Sequence, residues 1–435
     1  MRAVHELLIV GGGCTGALLS SLLPASTLSG THLWEKSRSA GRMASSAAKG
    51  EAAGAVSDTG AQYFTGFDEA SSAALLAAHQ AGVLARLPPG AVLGERATTA
   101  AHDNYYAPGG TRALVGHYLS AAVGSGLTLH PSRRLAALHL AEGGGAWRAV
   151  DEEGGEGLFR AVALTLPVPQ LLALGGGDLA ALLAASQATP ALAAVTYSSR
   201  FALAFHFDRA TLPRFLERLP WYGRYVSPTQ AGGQCIKYLS FETRKRGAQG
   251  APAASFVAHS SVELGAAHQA AIPELLSLMQ GAALAALQES MGEEGGALPP
   301  VIDSRLHRWK FSQVTRGPGS PAAEGAAAAG SAAGTAGTAG TAGTAAAGGA
   351  EGSQAASKPP PAWLLQGVPV SSSSSSSAAA SAAAAGAAAY PPLILAGDGI
   401  AGASNFMHCL ASAQLAAAHC ASALQPPPPP QQARC

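Results

Sequence analysis

The pattern of apolar and polar positions near the start of the chain predicts a strand, a helix and a second strand. Four consecutive apolar residues at 7–10 predict a buried strand. Residues 17–23 carry a helical pattern that stops before Pro24, and 31–34 read as the second strand. This order of elements is typical of a parallel α/β sheet.

Glycines occupy the turn between the first strand and the helix. Gly11, Gly13 and Gly16 form G-x-G-x-x-G, and Glu35 follows the second strand. In such a turn the first glycine permits a sharp bend, the second lets a pyrophosphate approach the backbone, and the third lets the helix pack closely. A carboxylate at the end of the second strand accepts from ribose hydroxyls, which favours FAD or NAD over NADP. A glycine turn in an unrelated α/β domain remains the alternative, because 53 of the 435 residues are glycine.

The pattern changes to long alternating strands at about residue 201. Before this point the sequence predicts helices at 70–85 and 111–122, a meander of strands at 127–130, 135–140 and 146–150, and a strand at 162–166. After it come alternating strands at 201–207, 235–242 and 255–260, a helix at 266–290 and a strand at 305–314. The change predicts a second domain.

Residues 317–389 consist mainly of Ala, Gly, Ser, Thr and Pro. Such a composition buries too little apolar surface to offset chain entropy, so we expect disorder, with a possible ordered segment at 362–370. A strand at 393–396 and glycines then precede a helix at 404–424, for which Ser404 is the expected N-cap. This second strand-glycine-helix unit predicts that both chain ends contribute to one nucleotide site. The proline run at 426–430 is expected to be loose.

Several loops carry candidate functional side chains. Arg42, in Gly-Arg-Met at 41–43, is expected to bind the pyrophosphate, or alternatively to be a solvated arginine. The segment 58–64 suits backbone near a planar ring, but also a core strand. The aromatic cluster at 221–226 predicts either a pocket wall or ordinary core, and the basic residues at 244–246 predict a solvated turn.

Composition excludes several classes of protein. A formal net charge of +1 gives no general attraction for nucleic acid or anionic lipid. The five cysteines are scattered without C-x-x-C, which argues against a disulfide framework or structural zinc and favours a reducing compartment. The first strand begins about seven residues from Met1, so we expect no cleavable leader and a cytoplasmic protein without a membrane span.

Other catalytic signatures are missing from the sequence. It contains no G-x-S-x-G, no H-E-x-x-H and no G-x-x-x-x-G-K-[ST]. His408 and His419 lie on one face of the final predicted helix, but no third ligand accompanies them, so no metal site is expected.

Taken together, these motifs resemble the renalase-like branch of the FAD-dependent amine oxidase superfamily. The matching segments lie at 7–16, 41–43, 58–63, 166–169, 197–200, 308–315, 397–399 and 404–406. The resemblance covers 7–315 and 393–424. It departs at Lys310, where an arginine is expected, and in the lengthened loop before the last strand.

The resemblance implies an α/β protein with a Rossmann-type FAD-binding domain plus a mixed β-sheet substrate domain, the p-hydroxybenzoate-hydroxylase-like fold. The FAD-binding domain is expected at 1–75, 111–175 and 390–425, and the substrate domain at 76–110 and 176–316, with the insert at 317–389 and the tail at 426–435. Carried over by position, the expected FAD contacts are Gly11, Gly13, Thr15, Gly16, Glu35, Arg42, Gln62, Tyr63 and Asp398.

The activity implied by the resemblance is oxidation of isomeric dihydro-NAD(P), with hydride passing to flavin N5 and O₂ yielding NAD(P)⁺ and H₂O₂. Tyr225 and Trp309 are the candidate walls for the nicotinamide, and no catalytic acid or base is expected. Amine oxidation is the alternative if Lys310 approaches flavin N5, although strand alternation predicts that it points away from the face of Trp309. A third hypothesis is a non-catalytic FAD-binding protein whose insert contacts a partner.

Overall fold

The computed structural model describes residues 3–37, 40–174, 177–318, 361–365 and 390–425. Its strands are β1 Val4–Val10, β2 Thr31–Glu35, β3 Ser45–Ala47, β4 Val56–Asp58, β5 Phe64–Thr65, β6 Ala85–Arg86, β7 Val92–Leu93, β8 Asn104–Tyr106, β9 Thr128–Pro131, β10 Leu135–Leu140, β11 Trp147–Asp151, β12 Glu156–Leu164, β13 Thr196–Asp208, β14 Gly223–Tyr225, β15 Ile236–Phe241, β16 Ala253–Ser260, β17 Val301–Arg316, β18 Ala362–Leu365 and β19 Leu393–Ala396.

The α-helices are α1 Cys14–Leu22, α2 Ala25–Leu28, α3 Glu69–Gln80, α4 Ala97–Ala100, α5 Thr111–Gly124, α6 Val168–Leu172, α7 Leu179–Ala185, α8 Thr189–Ala193, α9 Leu212–Arg218, α10 Glu242–Arg246, α11 Val262–Ala267, α12 Pro273–Met291, α13 Asp398–Ala401 and α14 Phe406–Ala423. None of the helices in these ranges is long and apolar enough to cross a membrane.

The first sheet is mixed, and both ends of the chain contribute strands to its parallel central part. Strand β1 pairs in parallel with β2 on one side and β12 on the other, and β12 pairs in parallel with β19. Side chains of β1 alternate between two cores: Leu7 and Ile9 face α1, α5 and α14, whereas Leu8 and Val10 face α6 to α8. A strand buried on both faces explains the unbroken apolar run in the sequence.

Two sequence-based expectations for this sheet are wrong in detail. Strand β9 pairs in parallel with β2, so the meander contains only β10, β11 and β12. Helix α5 lies between β8 and β9 and leads the chain back to the first sheet as a crossover connection.

Helices α7 and α8 also pack in the core of this sheet, through Leu182 and Leu192, although their sequence falls in the segment expected to form the substrate domain.

The second sheet has the strand order β17-β13-β16-β15-β14-β7. It is antiparallel except for the parallel pair of β14 with β7, and α9 and α12 cover its apolar face.

The helix expected at 266–290 is divided into α11 and α12. Pro273 begins α12, where its missing N–H costs no hydrogen bond, and it could not continue α11.

The C-terminal unit returns to the first sheet. Strand β18 pairs antiparallel with β19, which confirms order at 362–365, while 319–360, 366–389 and the tail at 426–435 lie outside the described residues. The N-cap of helix α14 lies one residue later than expected. Its N-cap is Asn405, whose side chain accepts from the His408 amide at 2.9 Å, and Ser404 instead lies beside Arg42.

Candidate cofactor and substrate site

The glycine motif forms a tight turn at the carboxyl end of β1. Gly11 has φ +112°, and its amide donates to the Trp34 carbonyl at 2.9 Å. A Cβ on Gly16 would lie 2.0 Å from the Gly11 carbonyl oxygen, so only glycine lets α1 pack this closely. Gly13 is the N-cap of α1, no side chain caps this helix, and its first turn contains no acidic residue. The helix therefore presents its positive end to the space in front of it.

Gly13 borders a space between two backbone segments. A Cβ on Gly13 would have Gly41 Cα at 4.0 Å as its nearest neighbour, and a Cβ on Gly41 would lie 3.4 Å from Gly13 Cα. Side chains at these positions would fill a gap that is now lined only by the backbone of the two glycines. An uncapped helix start facing such a gap fits the pyrophosphate of a dinucleotide.

Glu35 lies at the end of β2 beside this turn, where its carboxylate is buried. One oxygen accepts from the Gly12 amide at 2.7 Å, and the other accepts from the Ser37 amide at 2.9 Å and the Ser37 hydroxyl at 2.6 Å. The oxygen that accepts from Gly12 has capacity for a further bond, whereas the other already accepts two, so the group is held in place with one acceptor site left over. The residue stands where an adenosine ribose is expected.

Thr165, at the end of β12, connects the two glycine units from opposite ends of the chain. Its hydroxyl donates to the Val10 carbonyl at 2.9 Å, and a Cβ on Gly397 would lie 3.8 Å from its backbone oxygen. Gly397, with φ +127°, is the N-cap of α13. The carboxyl ends of β1, β12 and β19 therefore meet at one edge of the sheet, where a dinucleotide binds in this class of fold.

Arg42 links the N-terminal loop to the C-terminal unit. Its guanidinium lies 2.5 Å from the buried Asp398 carboxylate and donates to the Ser312 carbonyl and the Ser404 hydroxyl at 3.1 Å each. Burial raises the pKa of Asp398, but the Arg42 charge outweighs it and holds this pKa below its usual range. The interpretation of Arg42 as a solvated arginine is wrong, and both members of the pair stand beside the expected phosphate site.

Gln62 is held by a buried ionic cluster that the sequence analysis assigns wrongly to a solvated turn. Lys245 donates to Gln62 Oε1 at 3.0 Å and lies 2.7 Å from the Glu242 carboxylate. Arg246 lies 2.7 Å from Asp58, and Asp58 donates its amide to Glu242 at 2.7 Å. Residues 244–246 belong to helix α10. Their cations are not solvated, because the carboxylates of Asp58 in β4 and Glu242 in the helix itself neutralise them. The Gln62 amide donates to the Gly60 carbonyl at 3.1 Å and to His259 Nε2 at 3.3 Å.

Aromatic side chains from the loop after β4 and from the second sheet meet beside Gln62. The Tyr63 and Tyr225 hydroxyls lie 3.0 Å apart, and Tyr238 contacts the Tyr225 ring edge to face, with centroids 4.9 Å apart. The cluster at 221–226 is therefore divided: Trp221 is buried in the core of the second sheet, whereas Tyr225 is half-buried at the junction of the sheets.

Trp309 closes another side of this site. Its indole N–H donates to the Thr59 carbonyl at 2.7 Å, so the side chain crosses from β17 to the loop that carries Gln62 and Tyr63. Lys310 is exposed and its ammonium lies 5.4 Å from the Phe311 ring centroid. The prediction that Lys310 points away from the face of Trp309 agrees with this position.

Arg200, His259 and Lys245 are site residues that the sequence analysis misses. Arg200 is paired in register with Trp309, and its Nε is buried without a hydrogen-bond partner among the described residues. His259 lies in β16, in an alternating strand without any motif around it. The only local signal was a polar residue within an apolar strand, which is too common to identify a site.

A phosphate-binding edge on one sheet and an aromatic site where the second sheet meets it form the arrangement expected of a flavin enzyme, with the coenzyme at the first and the substrate at the second. The residues present fit a bound flavin dinucleotide. The class of protein is an FAD-dependent oxidoreductase.

Within that class, the chain is similar in sequence to renalase. It is 28% identical to renalase from Mus musculus over 323 residues, which cover 72% of this chain and 86% of the mouse protein. No family model matches the chain.

Solved structures also resemble it. A putrescine oxidase bound to putrescine matches with a TM-score of 0.48 and 10% identity over 70% of this chain and 85% of that one. An oxidoreductase from Methanosarcina mazei matches with a TM-score of 0.46 and 10% identity over 70% and 88%.

Proposed function

We propose that this protein is an oxidase of isomeric dihydro-NAD(P), in which the nicotinamide binds between the flavin and the aromatic side chains Tyr63, Tyr225 and Trp309. Bound FAD would accept a hydride at N5 and pass two electrons to O₂, giving NAD(P)⁺ and H₂O₂. The expected FAD contacts remain Gly11, Gly13, Thr15, Gly16, Glu35, Arg42, Gln62, Tyr63 and Asp398.

The observation that carries this proposal is an aromatic site in which the Tyr63 and Tyr225 hydroxyls lie 3.0 Å apart and both phenols, like the imidazole of His259, are neutral at neutral pH. Burial raises the pKa of both Tyr63 and Tyr225, and burial lowers the pKa of His259 to about 3. Hydride transfer from a dihydronicotinamide carbon requires no side chain to take a proton, so neutral, rigid walls suffice. The hydroxyl pair of Tyr63 and Tyr225 fixes both rings in position.

Three of the expected FAD contacts, Gln62, Arg42 and Asp398, also have defined roles. Lys245 donates a hydrogen bond to the Gln62 amide oxygen, so the ionic cluster fixes the orientation of the Gln62 side chain. Arg42 and Asp398 form a nearly neutral pair beside the phosphate site, which leaves the positive end of α1 as the local attraction for the pyrophosphate.

The test is an anaerobic titration of the flavin-loaded protein with isomeric dihydronicotinamide dinucleotides and, separately, with primary amines. We expect the isomers to bleach the visible flavin absorption at stoichiometric amounts and amines to leave it unchanged. Bleaching by amines alone would replace this proposal with amine oxidation. A flavin that neither reductant bleaches would favour the non-catalytic hypothesis.

A matched pair of tryptophan substitutions locates the substrate. Trp309→Phe removes the indole that donates to Thr59 and should raise KM for the dinucleotide by about tenfold, equivalent to about 1.4 kcal/mol of binding. Trp221→Phe alters a core tryptophan of the same domain and should leave KM unchanged. Equal effects of both substitutions would contradict the assigned site.

A further inference from the structure

An arginine lies on the face of the second sheet that borders the candidate substrate site. Arg200 of β13 is directly opposite Trp309 of β17, and side chains opposite each other on antiparallel strands point to the same face of a sheet. The alternation along β13 agrees with this, because Phe201 and Leu203 lie in the core that α9 and α12 cover. Arg200 therefore lies on the other face, together with Trp309.

The same face carries other residues of the site in one row across the strands. Ala202, two positions along β13, is opposite His259 of β16, and Tyr238 of β15 is also opposite His259. Tyr238 is in turn opposite Tyr225 of β14. The strand register therefore places Arg200 on the face that carries both candidate nicotinamide walls.

The guanidinium of Arg200 forms no ion pair within the described parts of the chain. Its Nη2 donates to the amide oxygen of Gln313 at 3.1 Å, and its Nε is buried without a hydrogen-bond partner. By contrast, Arg42 and Arg246, which also lie beside the site, each approach a buried carboxylate to within 2.7 Å. A partly buried cation whose partner is a neutral amide is costly unless an anion binds to it.

The position of this charge suits one part of a nucleotide. Arg200 is half-buried, with its Nε inside the protein and its Nη2 beside the exposed side chain of Gln313. A nicotinamide nucleotide carries its phosphate one ribose away from the ring. With the ring between Trp309 and Tyr225, the phosphate is expected toward this outer edge of the site. Arginine binds phosphate well, because its planar guanidinium can donate two parallel hydrogen bonds.

We propose that Arg200 binds the phosphate next to the nicotinamide ribose of the substrate and thereby selects nucleotides over uncharged compounds and amines. The identity of the ligand rests on the proposed function, whereas the preference for an anion rests on the register and hydrogen bonds of Arg200. An uncompensated cation attracts a phosphate and repels an ammonium group, so the same side chain disfavours amine substrates.

The first test measures binding without turnover. The full-length flavin-loaded protein is titrated with nicotinamide mononucleotide and, separately, with nicotinamide riboside, which lacks only the phosphate, and calorimetry gives the two dissociation constants. We expect the mononucleotide to bind at least about tenfold more tightly, and Arg200→Gln to reduce this ratio to about twofold or less. A wild-type protein without this preference, or a ratio that Arg200→Gln leaves unchanged, would overturn the proposal.

Arg308→Gln is the matched control, since it removes the same charge from the opposite face of the sheet. Arg308 is opposite Phe201, and its Nη2 donates to the Gln269 side chain at 3.0 Å. This variant should keep the wild-type ratio, and an equal loss in both Gln variants would show a general effect of charge and refute the assignment. Arg200→Lys keeps the charge without the planar fork and should give an intermediate ratio. If Arg200→Gln does not fold, a wild-type ratio in Arg200→Lys contradicts the proposal.

Kinetics with isomeric dihydronicotinamide dinucleotides separates this proposal from the oxidase proposal. Arg200→Gln should raise KM by about tenfold with little change in kcat, because the phosphate is bound equally before and during hydride transfer. Oxidation of the isomers with an unchanged KM would refute the role of Arg200 and leave the oxidase proposal standing. If no isomer is oxidised but the mononucleotide still binds through Arg200, only the oxidase proposal fails.

Discussion

At the scale of single residues, the glycines of one motif serve different physical purposes. Gly16 is required by the fold, since its position leaves no room for a Cβ against the Gly11 carbonyl. Gly13 has φ −80°, which any residue adopts, and the space beside it is open in the described structure. We therefore expect Gly13 to leave room for a ligand. Within the same six-residue motif, Gly16 serves the stability of the fold and Gly13 serves binding.

This separation predicts opposite outcomes for two alanine substitutions. Gly16→Ala should lower the free energy of unfolding by about 3 kcal/mol, because the helix must move away from β1. Gly13→Ala should change it by less than about 0.5 kcal/mol while weakening FAD binding by about tenfold or more. Urea unfolding of the apoprotein and fluorescence titration with FAD measure the two effects. A stable, FAD-binding Gly16→Ala protein would contradict the assignment.

At the scale of elements, helix α10 connects the second sheet to strand β4 through buried charges. Its Glu242 and Lys245 are buried, and Asp58 belongs to β4 next to the loop that carries Gln62 and Tyr63. Burial raises the pKa of Glu242, but the charges of Lys245 and Arg246 hold it below its usual value. A short helix with both signs of charge thus positions a loop that approaches the expected flavin site.

Removing one cation from this cluster should be costly. Lys245→Met leaves Glu242 and Asp58 with Arg246 alone and should lower the free energy of unfolding by about 3 kcal/mol, measured by urea denaturation. Lys49→Met replaces an exposed lysine and should change it by less than about 0.5 kcal/mol. Equal stability of the two variants would show that the cluster is not a stabilising connection. The visible spectrum of bound flavin should shift in the first variant only.

At the scale of the whole molecule, neutral histidines that are partly buried make the fold sensitive to acid. His32 hydrogen-bonds to His130 at 2.9 Å and to His5 at 3.1 Å across three parallel strands. Burial, followed by these neighbours and Arg133, lowers the pKa of His32 to about 4, and burial lowers that of His259 to about 3. Both side chains therefore belong to the folded state in their uncharged form.

The melting temperature should fall as pH decreases below about 6.5, the ordinary histidine pKa. A lowered pKa in the folded state means that the unfolded chain binds protons first, so this stability is complete above pH 6.5 and is lost as pH falls toward about 4. Carboxylates whose pKa is lowered contribute only below about pH 4. Scanning calorimetry between about pH 7 and pH 4.5 measures the effect. His32→Gln should flatten the profile, and an unchanged slope would contradict the assignment.

The long insert belongs to the same scale. Replacing 319–360, which lies between β17 and β18, with a Gly/Ser linker of about ten residues should leave flavin content and oxidation rate unchanged, because loop length alters the free energy only slowly. Steady-state oxygen consumption of the shortened protein measures this. Loss of function in a flavin-loaded shortened protein would support the hypothesis that the insert contacts a partner.

The sequence alone determined the phosphate-binding turn, Glu35, the C-terminal glycine unit and the two kinds of sheet, because each of these depends on residues that are neighbours along the chain. Strand period, glycine spacing and chain-breaking prolines are local properties. They predicted β1, α1, β2 and most of the long strands, and motif order made Arg42, Gln62 and Tyr63 expected flavin contacts.

Only the tertiary structure decided which distant groups share an environment. It buried Lys245 of α10 against Glu242, brought His259 to Gln62 and paired β9 with β2. The physical reason is that burial, ion pairing and pKa depend on atoms that lie near in space but far apart along the chain. The sequence around a basic triplet does not show which distant carboxylates will pair with it in the folded protein.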